Sequence, residues 1–349
     1  MDDEKLLQNC ITRILAWYPG VRRALPWRES PTPYRVWISE IMLQQTRIEA
    51  VIPYYARFLA ELPDVAALAA VEEDRLLKLW EGLGYYSRAR NLKKAALRVM
   101  DAYGGELPRT AAELKTLPGI GDYTAGAIAS IAWGEPEPAV DGNVLRVLSR
   151  LLALDADVMQ GKTRSAMTDL LRGAYPAGED AALLTEGLME LGETICIPNG
   201  APECSACPLA PLCRAHAAGE EERYPVKAAP KPRRIEARTV LLLRCGERWA
   251  IRRREEKGLL AGLWEFPNVE GTLTEARARE AAEAMGGEVL SCATCGEAKH
   301  IFTHVEWHMT GYRIALSREI EGLVWRTAAE IRGAYSIPTA LKAYQKLID

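Results

Sequence analysis

The spacing of apolar residues changes once along the chain, and that change constrains the fold more than any other feature. From about residue 5 to 216 apolar side chains recur three and four residues apart, as in Ile38, Ile41 and Met42 or Leu92, Ala95, Ala96 and Val99. Proline or glycine breaks the pattern at intervals, as expected of successive helices that each bury one stripe. After residue 235 the period becomes two. Residues 239–244 and 249–254 read as strands around a turn, and 301–314 sets Val305, Trp307 and Met309 on one face. Helical patterns at 274–285 and 338–348 complete an α+β domain. Between the two regimes, residues 226–235 are basic and carry prolines, as an extended linker does. The expected organisation is therefore an all-α domain over 1–225 and an α+β domain over 236–349, joined by 226–235. In a chain of 349 residues each is long enough to bury its own core.

Apolar residues make up 48% and charged residues 26%, with no apolar run of about 18 residues, which excludes disorder and a membrane span. The start, Met1-Asp-Asp-Glu-Lys5, is acidic where a secretory leader is basic and then apolar, so a cytoplasmic protein is expected. The net charge of −3 lacks the basic excess of a nucleic-acid binder, so any such partner must be met by local patches. One stretch is locally basic: Arg88, Arg90, Lys93, Lys94, Arg98 and Arg109 stand against Asp101 and Glu106, suiting either phosphate contact or a solvated helix face.

Four of the eight cysteines crowd together: Cys196, Cys204, Cys207 and Cys213, with seven, two and five residues between them. In a reducing compartment such thiols suggest a metal site, and four thiolates this close can wrap one tetrahedral or cubane centre. Structural zinc ribbons usually supply two C-x2-C pairs. A single pair flanked by lone cysteines favours an iron–sulfur cluster, with zinc and free thiols as the alternatives. Leu117-Pro-Gly-Ile-Gly121 lies between two short helical patterns, where Gly119 and Gly121 let amides at a helix start approach a phosphate; an ordinary turn is the plain alternative. Asp141 heads a helical run and has the makings of an N-cap. Glu40 sits beside Ile38 and Ile41 in a largely apolar helix. It is either a solvent-facing residue or a carboxyl whose charged form is disfavoured, fit to donate a proton near neutral pH.

Leu25-Pro-Trp-Arg28, Trp37-Ile-Ser-Glu-Ile-Met-Leu-Gln-Gln-Thr46, Leu83-Gly-Tyr-Tyr86 with Arg88-Ala-Arg-Asn-Leu92, the glycine hairpin, Asp141-Gly-Asn143 and the cysteine cluster follow one another in a familiar order. Over residues 20–213 the chain resembles the endonuclease III superfamily of DNA glycosylases, and more closely its adenine DNA glycosylase branch, the MutY family. The resemblance implies an all-α helix-hairpin-helix glycosylase domain. Its six-helix subdomain would span about 26–132, and its cluster subdomain would combine residues 1–25 with 133–225, carrying a [4Fe-4S] cluster on Cys196, Cys204, Cys207 and Cys213. Glu40 would be the acid that protonates departing adenine. Asp141 would stabilise the cationic sugar, or bond to it transiently, as in retaining glycosidases. Tyr123 stands where bifunctional relatives carry a Schiff-base lysine, and would hydrogen-bond near the sugar and Asp141. A monofunctional enzyme that leaves the backbone intact follows. Trp27, Arg28 and Glu186 would line the adenine pocket. Gln45, Thr46 and Tyr85 would enter the stack near the opposite 8-oxoguanine, and Leu117, Gly119 and Gly121 would meet the DNA backbone.

The C-terminal domain resembles the Nudix-like domain with which adenine glycosylases recognise 8-oxoguanine. The match rests on Leu259-Leu-Ala-Gly-Leu-Trp-Glu-Phe-Pro267 and on the strand 300–304, with Phe302, Thr303 and His304 at the lesion. Threonine stands here where many members have serine. Only Glu280 and Glu283 remain on the helix that holds Mg²⁺ in Nudix hydrolases, which argues against nucleotide hydrolysis. Cys292 and Cys295 with His300, His304 and His308 invite a zinc reading, although the family match already explains that strand. The expected function is excision of adenine mispaired with 8-oxoguanine, or guanine, in duplex DNA by a monomer, nucleoid-associated in a bacterium. A glycosylase for thymine or oxidised pyrimidine and a non-catalytic DNA-binding iron–sulfur protein are the alternatives.

Overall fold

The computed structural model describes residues 2–228 and 232–348. The chain divides into two compact units, Met1–Ala70 with Asn91–Ala229, and Val71–Arg90 with Pro230–Asp349. Up to residue 228 the described residues form no strand. They form α1 (Asp3–Trp17), α2 (Pro26–Glu29), α3 (Pro33–Leu43), α4 (Ile48–Glu61), α5 (Val65–Ala70), α6 (Glu73–Leu79), α7 (Ser87–Tyr103), α8 (Ala111–Leu114), α9 (Asp122–Trp133), α10 (Gly142–Leu152), α11 (Gly161–Arg172), α12 (Glu179–Thr194) and α13 (Arg214–Ala218). Helix starts are chemically marked: side chains of Asp2, Thr32, Thr110 and Asp141 accept from first-turn amides, and Pro33 opens α3. Helix α9 stops at Gly134, whose φ of 67° suits a residue without Cβ.

In the first unit, α9 packs on α3 and α12, and α12 on α10 and α1. One core joins α1, α10, α11 and α12 to the cysteine segment, through residues such as Ile14, Val144, Leu148, Leu184 and Leu191. No helix among the described residues is long and apolar enough to cross a membrane.

The second unit carries β1 (Arg234–Cys245), β2 (Arg248–Arg253), β3 (Trp264–Glu265), β4 (Asn268–Glu270), α14 (Glu275–Ala284), β5 (Val289–Ile301), β6 (Val305–Leu316), β7 (Val324–Thr327), α15 (Ala328–Ala334) and α16 (Lys342–Gln345). The sheet runs β3-β2-β1-β6-β5, with β4 on β1 and β7 on β2; β1 and β6 are parallel and the other pairs antiparallel. Residues 239–243 of β1 are all buried. Val240 and Leu242 pack with Trp307, Met309, Ile331 and Tyr344, while Leu241 and Leu243 pack with Ala278 and Ala282 of α14. A central strand covered on both faces reads as a continuous apolar run, which is why β1 departs from simple alternation.

Four expectations change. Strand β1 begins at Arg234, inside the expected linker 226–235, of which Ala229, Pro230 and Lys231 lie outside the described residues. The expected strand 300–304 ends at Ile301, and 302–304 form the turn between β5 and β6, closed by Phe302 N donating to Val305 O at 2.8 Å. The helix expected at 338–348 is a 3₁₀ turn, Thr339–Leu341, followed by the short α16. Residues Val71–Arg90 group with the second unit, where Lys78 Nζ donates to Tyr335 O at 3.2 Å. Cys292 packs in the core that contains α14 and Cys295 in the core that contains Tyr344. The two thiols lie on opposite faces of the sheet and do not share a metal.

Helix α9 approaches its neighbour closely at Gly126, where a Cβ would collide with the backbone carbonyl of Pro138. Gly126→Ala is expected to lower the unfolding free energy by about 1–3 kcal/mol in urea titrations, because backbone and not a flexible side chain must give way.

Candidate active site

Helix α3 is buried nearly all round: Tyr34, Val36, Trp37, Ile38, Ser39, Glu40, Ile41 and Met42 are covered. Glu40 is 5% exposed, so its charged form has lost its water. The group that bonds to it is a neutral donor: Tyr123, in the first turn of α9, donates its hydroxyl to Glu40 Oε2 at 2.6 Å. Burial pushes the Glu40 carboxyl up to about 7, helped by the charges of Asp141 and Glu186 and opposed by the Tyr123 hydrogen bond and Arg28. With Oε2 engaged by the phenol, Oε1 is the oxygen left to carry a proton. Tyr123, expected to bond near Asp141, bonds to Glu40; its own proton is held firmly by burial and by the neighbouring carboxylates.

Asp141 is an N-cap, and its plain reading and its expected role coexist. Oδ1 accepts from Asn143 N at 2.9 Å and Val144 N at 2.8 Å, and Oδ2 from Asn143 Nδ2 at 2.9 Å. Burial raises this carboxyl above its ordinary value, while those three donors and Arg146 hold it down. The start of α10 adds the helix dipole to the same side of that balance. Glu40, Tyr123 and Asp141 line one cavity of about 420 Å³.

The same cavity is lined by Trp27, Arg28 and Glu186, and also by Gln45 and Thr46. Trp27 is held edge-on by Tyr55, with centroids 5.5 Å apart. Glu186 accepts from Tyr18 Oη at 2.7 Å and Arg22 Nε at 3.0 Å, and lies 3.8 Å from Arg28 Nε. One turn along α12, buried Glu190 pairs with Arg23 and with Arg28 Nη2, the latter at 2.8 Å. Arg22, Arg23 and Glu190 were absent from the expected site. Two glutamates four apart on an apolar helix were their visible signal, of the same kind as Glu40.

Arg146 and Arg150 were also missed, although they interrupt the apolar α10 at one-turn spacing. Arg146 donates to Asn143 Oδ1 at 2.8 Å, Gly192 O at 2.7 Å and Cys196 O at 2.6 Å, tying the Asp141 cap to the cysteine segment. Arg150 Nη1 donates to Cys196 Sγ at 3.2 Å, and the Cys213 thiol donates to Arg150 O at 3.3 Å. Cys196, Cys204, Cys207 and Cys213 all line one small cavity. Burial, then Glu221 beside Cys204 and the neighbouring cysteines, push Cys204 and Cys207 up to about 11 and raise Cys213. Thiols so placed stay protonated by themselves; a cation bound among them would offset their mutual repulsion and release their protons to solvent, as at a thiolate metal centre.

Gln45 and Tyr85 adopt left-handed backbone, φ 57° and 46°, which non-glycine residues hold only when the surroundings impose it. Both are exposed. In the second unit Tyr85 Oη lies 2.9 Å from Thr303 Oγ1, while Phe302 packs edge-on against His300 and Trp307 and His304 is exposed. In the hairpin, Leu117 is buried, Gly119 has φ 81° with a Cβ position 2.7 Å from Asn91 Cβ, and Gly121 caps α9. The basic run is half consumed internally. Buried Arg88 donates to Leu83 O and Gly84 O and lies over Trp80, Arg90 pairs with Glu73, and Arg109 with Glu135.

Residues 38–173 match the HhH-GPD superfamily of base excision DNA repair proteins, and 239–347 match the NUDIX domain. The human adenine DNA glycosylase is 33% identical, over 94% of this chain and 72% of that protein. The chain belongs to the adenine DNA glycosylase family. Among solved structures, a thermostable thymine-DNA glycosylase superposes with a TM-score of 0.55 at 28% identity, over 61% of this chain and 98% of that one. A non-covalent endonuclease III–DNA complex gives 0.52 at 26%, over 64% and 98%. The HhH-GPD match contains Glu40, Tyr123 and Asp141, which line the cavity, and also the glycine hairpin, which does not.

In the folded state Glu40 holds its proton up to about pH 7, whereas in the unfolded chain it loses it near its ordinary value of 4.5. Its contribution to stability is therefore full below pH 4.5 and is lost as pH rises toward 7. Glu40→Gln removes that loss. In urea titrations the variant's stability relative to the parent protein should rise steadily between those two pH values; a flat or falling difference would show that the carboxyl is not perturbed.

Proposed function

We propose that the chain hydrolyses the N-glycosidic bond of adenine paired with 8-oxoguanine, and with guanine, in duplex DNA, as a monomer. The observation that carries this reading is a raised, phenol-bonded carboxyl and a capped carboxylate lining one cavity with an arginine–glutamate frame, in a member of this family.

Adenine, extracted from the stack at a cost of a few kcal/mol, enters the cavity between Trp27 and the Arg28–Glu186 pair. Glu40 donates its proton to a ring nitrogen of the base, which turns adenine into a neutral leaving group as the sugar becomes cationic. Asp141 faces that cation with its charge held by three donors, stabilising it or bonding to the anomeric carbon transiently. Water then attacks, and Glu40, now a carboxylate, accepts its proton and is ready to act again. Tyr123 holds Glu40 in place throughout. Having no amine, it forms no Schiff base, so the strand stays intact.

Gln45 and Thr46 of the first unit, and Tyr85, Phe302, Thr303 and His304 of the second, are the residues we assign to the 8-oxoguanine strand. Their support is the two left-handed exposed residues and the Tyr85–Thr303 hydrogen bond. Leu117, Gly119 and Gly121 shape the hairpin whose following helix start offers amides to a backbone phosphate. Cys196, Cys204, Cys207 and Cys213 would hold a 4Fe-4S cluster, which would cross-link the segment that Arg146 and Arg150 join to α10. Protein purified anaerobically should carry about four irons per chain on that assignment, and Cys207→Ser should lose them.

Excision from otherwise identical duplexes with 8-oxoguanine, guanine or thymine opposite adenine tests the whole reading. Adenine should be released fastest opposite 8-oxoguanine, with activity declining above about pH 7 as Glu40 loses its proton. Glu40→Gln and Asp141→Asn should each slow single-turnover release by roughly 10²-fold or more. Normal rates in either variant would contradict the roles, and release of thymine from a guanine mispair in place of adenine would move the substrate to the thymine class.

A further inference from the structure

The second unit contains a cavity of about 380 Å³ to which the proposed base release and base reading assign no part. Its walls are Arg238, Arg252, Arg253, Arg254 and Lys257, with Glu255 and Glu265. Five cationic side chains thus face two acidic ones, in a chain whose overall charge is −3. Strand β2 ends at Arg253. Strict alternation therefore ends there, and three consecutive arginines can share one wall.

The guanidinium groups are held in place. Glu265, 2% exposed, accepts from Arg252 Nε at 2.9 Å on one oxygen and pairs with Arg254 Nη1 on the other. Arg252 Nη2 donates to Asn268 O at 3.0 Å, Arg254 Nε to Leu259 O at 3.1 Å, and Arg253 Nε to Gly262 O at 3.1 Å. Arg238 lies over Trp307, 4.5 Å from the ring centroid, donates to Asn268 Oδ1 at 3.2 Å and to Glu236 Oε2 at 3.3 Å, and stands 4.0 Å from Glu270. Arg253 also meets Glu73 and Asp74 at 3.7 and 3.5 Å, half-exposed pairs that neutralise it weakly. Within the cavity wall itself the cations still outnumber the acids, five to two. Like charges confined beside a protein wall repel, and the ligand that relieves them best is an oxyanion whose several oxygens each accept from a forked donor.

Position narrows the source of that oxyanion. Trp307, under Arg238, also packs against Phe302 with centroids 5.0 Å apart. The cationic cavity is therefore one aromatic ring away from the turn 302–304. We propose that it is a phosphate-binding site, seating a backbone phosphate of the strand whose base is read by that turn. The location rests on the assignment of 302–304 to the lesion strand; the phosphate chemistry rests on the cavity alone. A free phosphate or nucleoside monophosphate has the same chemistry.

The test uses the full chain with Glu40→Gln as background, so that the duplex stays intact. Onto it are placed Arg253→Gln with Lys257→Gln, and separately Arg253→Glu with Lys257→Glu, each checked for an unchanged urea midpoint. Affinity for an 8-oxoguanine:adenine duplex is measured over a salt series, and again with single neutral methylphosphonates flanking the lesion. Neutralisation should weaken binding on the order of tenfold and lower the slope of log affinity against log salt by about one for each phosphate no longer bound. A methylphosphonate at the seated position should weaken the parent and leave the neutralised variant unaffected. If duplex binding is unchanged but inorganic phosphate or deoxyguanosine monophosphate raises the Tm of the parent and not of the variants, the site holds for free phosphate. Variants equal to the parent in every arm would overturn it. Adenine release by the chain with Glu40 intact is scored separately: its absence would remove the proposed activity without touching the cavity.

Discussion

Charge taken out of water must be paired where it is buried, and the first unit is organised around that requirement. Glu40, Arg146, Arg150, Glu186 and Glu190 are all buried. An isolated buried ion costs several kcal/mol even after relaxation. The helices α10 and α12 are accordingly arranged so that nearly every such group meets an opposite charge or a set of backbone carbonyls. Arg146 and Arg150 find carbonyls of the cysteine segment, and Glu186 and Glu190 find Arg22, Arg23 and Arg28. These pairs fix how the helices stack around the cavity, because a shift of either helix would leave a charge without its partner.

The difference in partners then separates the roles of the acids. Glu186 and Glu190 have guanidinium partners, and Asp141 has amide donors that favour its ionised form. Glu40 has a phenol, which supplies one hydrogen bond and no charge. Burial pushes Glu40 to about 7. Two carboxyls with such different partners can divide the work of acid and stabiliser within one cavity. The division comes from which side chains surround each carboxyl and not from the carboxyls themselves.

What the sequence made legible was residues out of keeping with their surroundings. A glutamate in an apolar helix, a glycine pair between helices and four crowded cysteines can be seen one position at a time, and the period change placed the sheet to within a few residues. What stayed hidden depends on meetings between distant segments. Arg22 and Arg23 acquire meaning only when α12 brings Glu186 and Glu190 to them, some 165 residues away. Tyr123 turns to Glu40 because α9 packs on α3, a contact that local spacing does not encode. Residues 302–304 continue the alternation of a strand yet form a turn, because Phe302 N pairs back onto Val305 O and closes the hairpin there. The grouping of Val71–Arg90 with the second unit has the same origin, in contacts such as Lys78 to Tyr335.

The modest negative charge of the chain acquires a physical sense in the same way. A broad basic surface would bind any duplex strongly, since phosphate contacts carry no sequence information and grow with every added cation. Here Arg88 and Arg90 are engaged within the protein and Arg109 pairs with Glu135 at the surface, while Lys94 and Arg98 stand exposed on α7. Elsewhere cations are concentrated and oriented, as by Glu265 in the second unit, instead of being spread over the surface. A protein that must leave undamaged duplex quickly and stay at a rare site gains from this distribution. On the proposed reading, weak general attraction would keep non-specific residence short, while a few pre-oriented donors would add affinity only where a base has already been read.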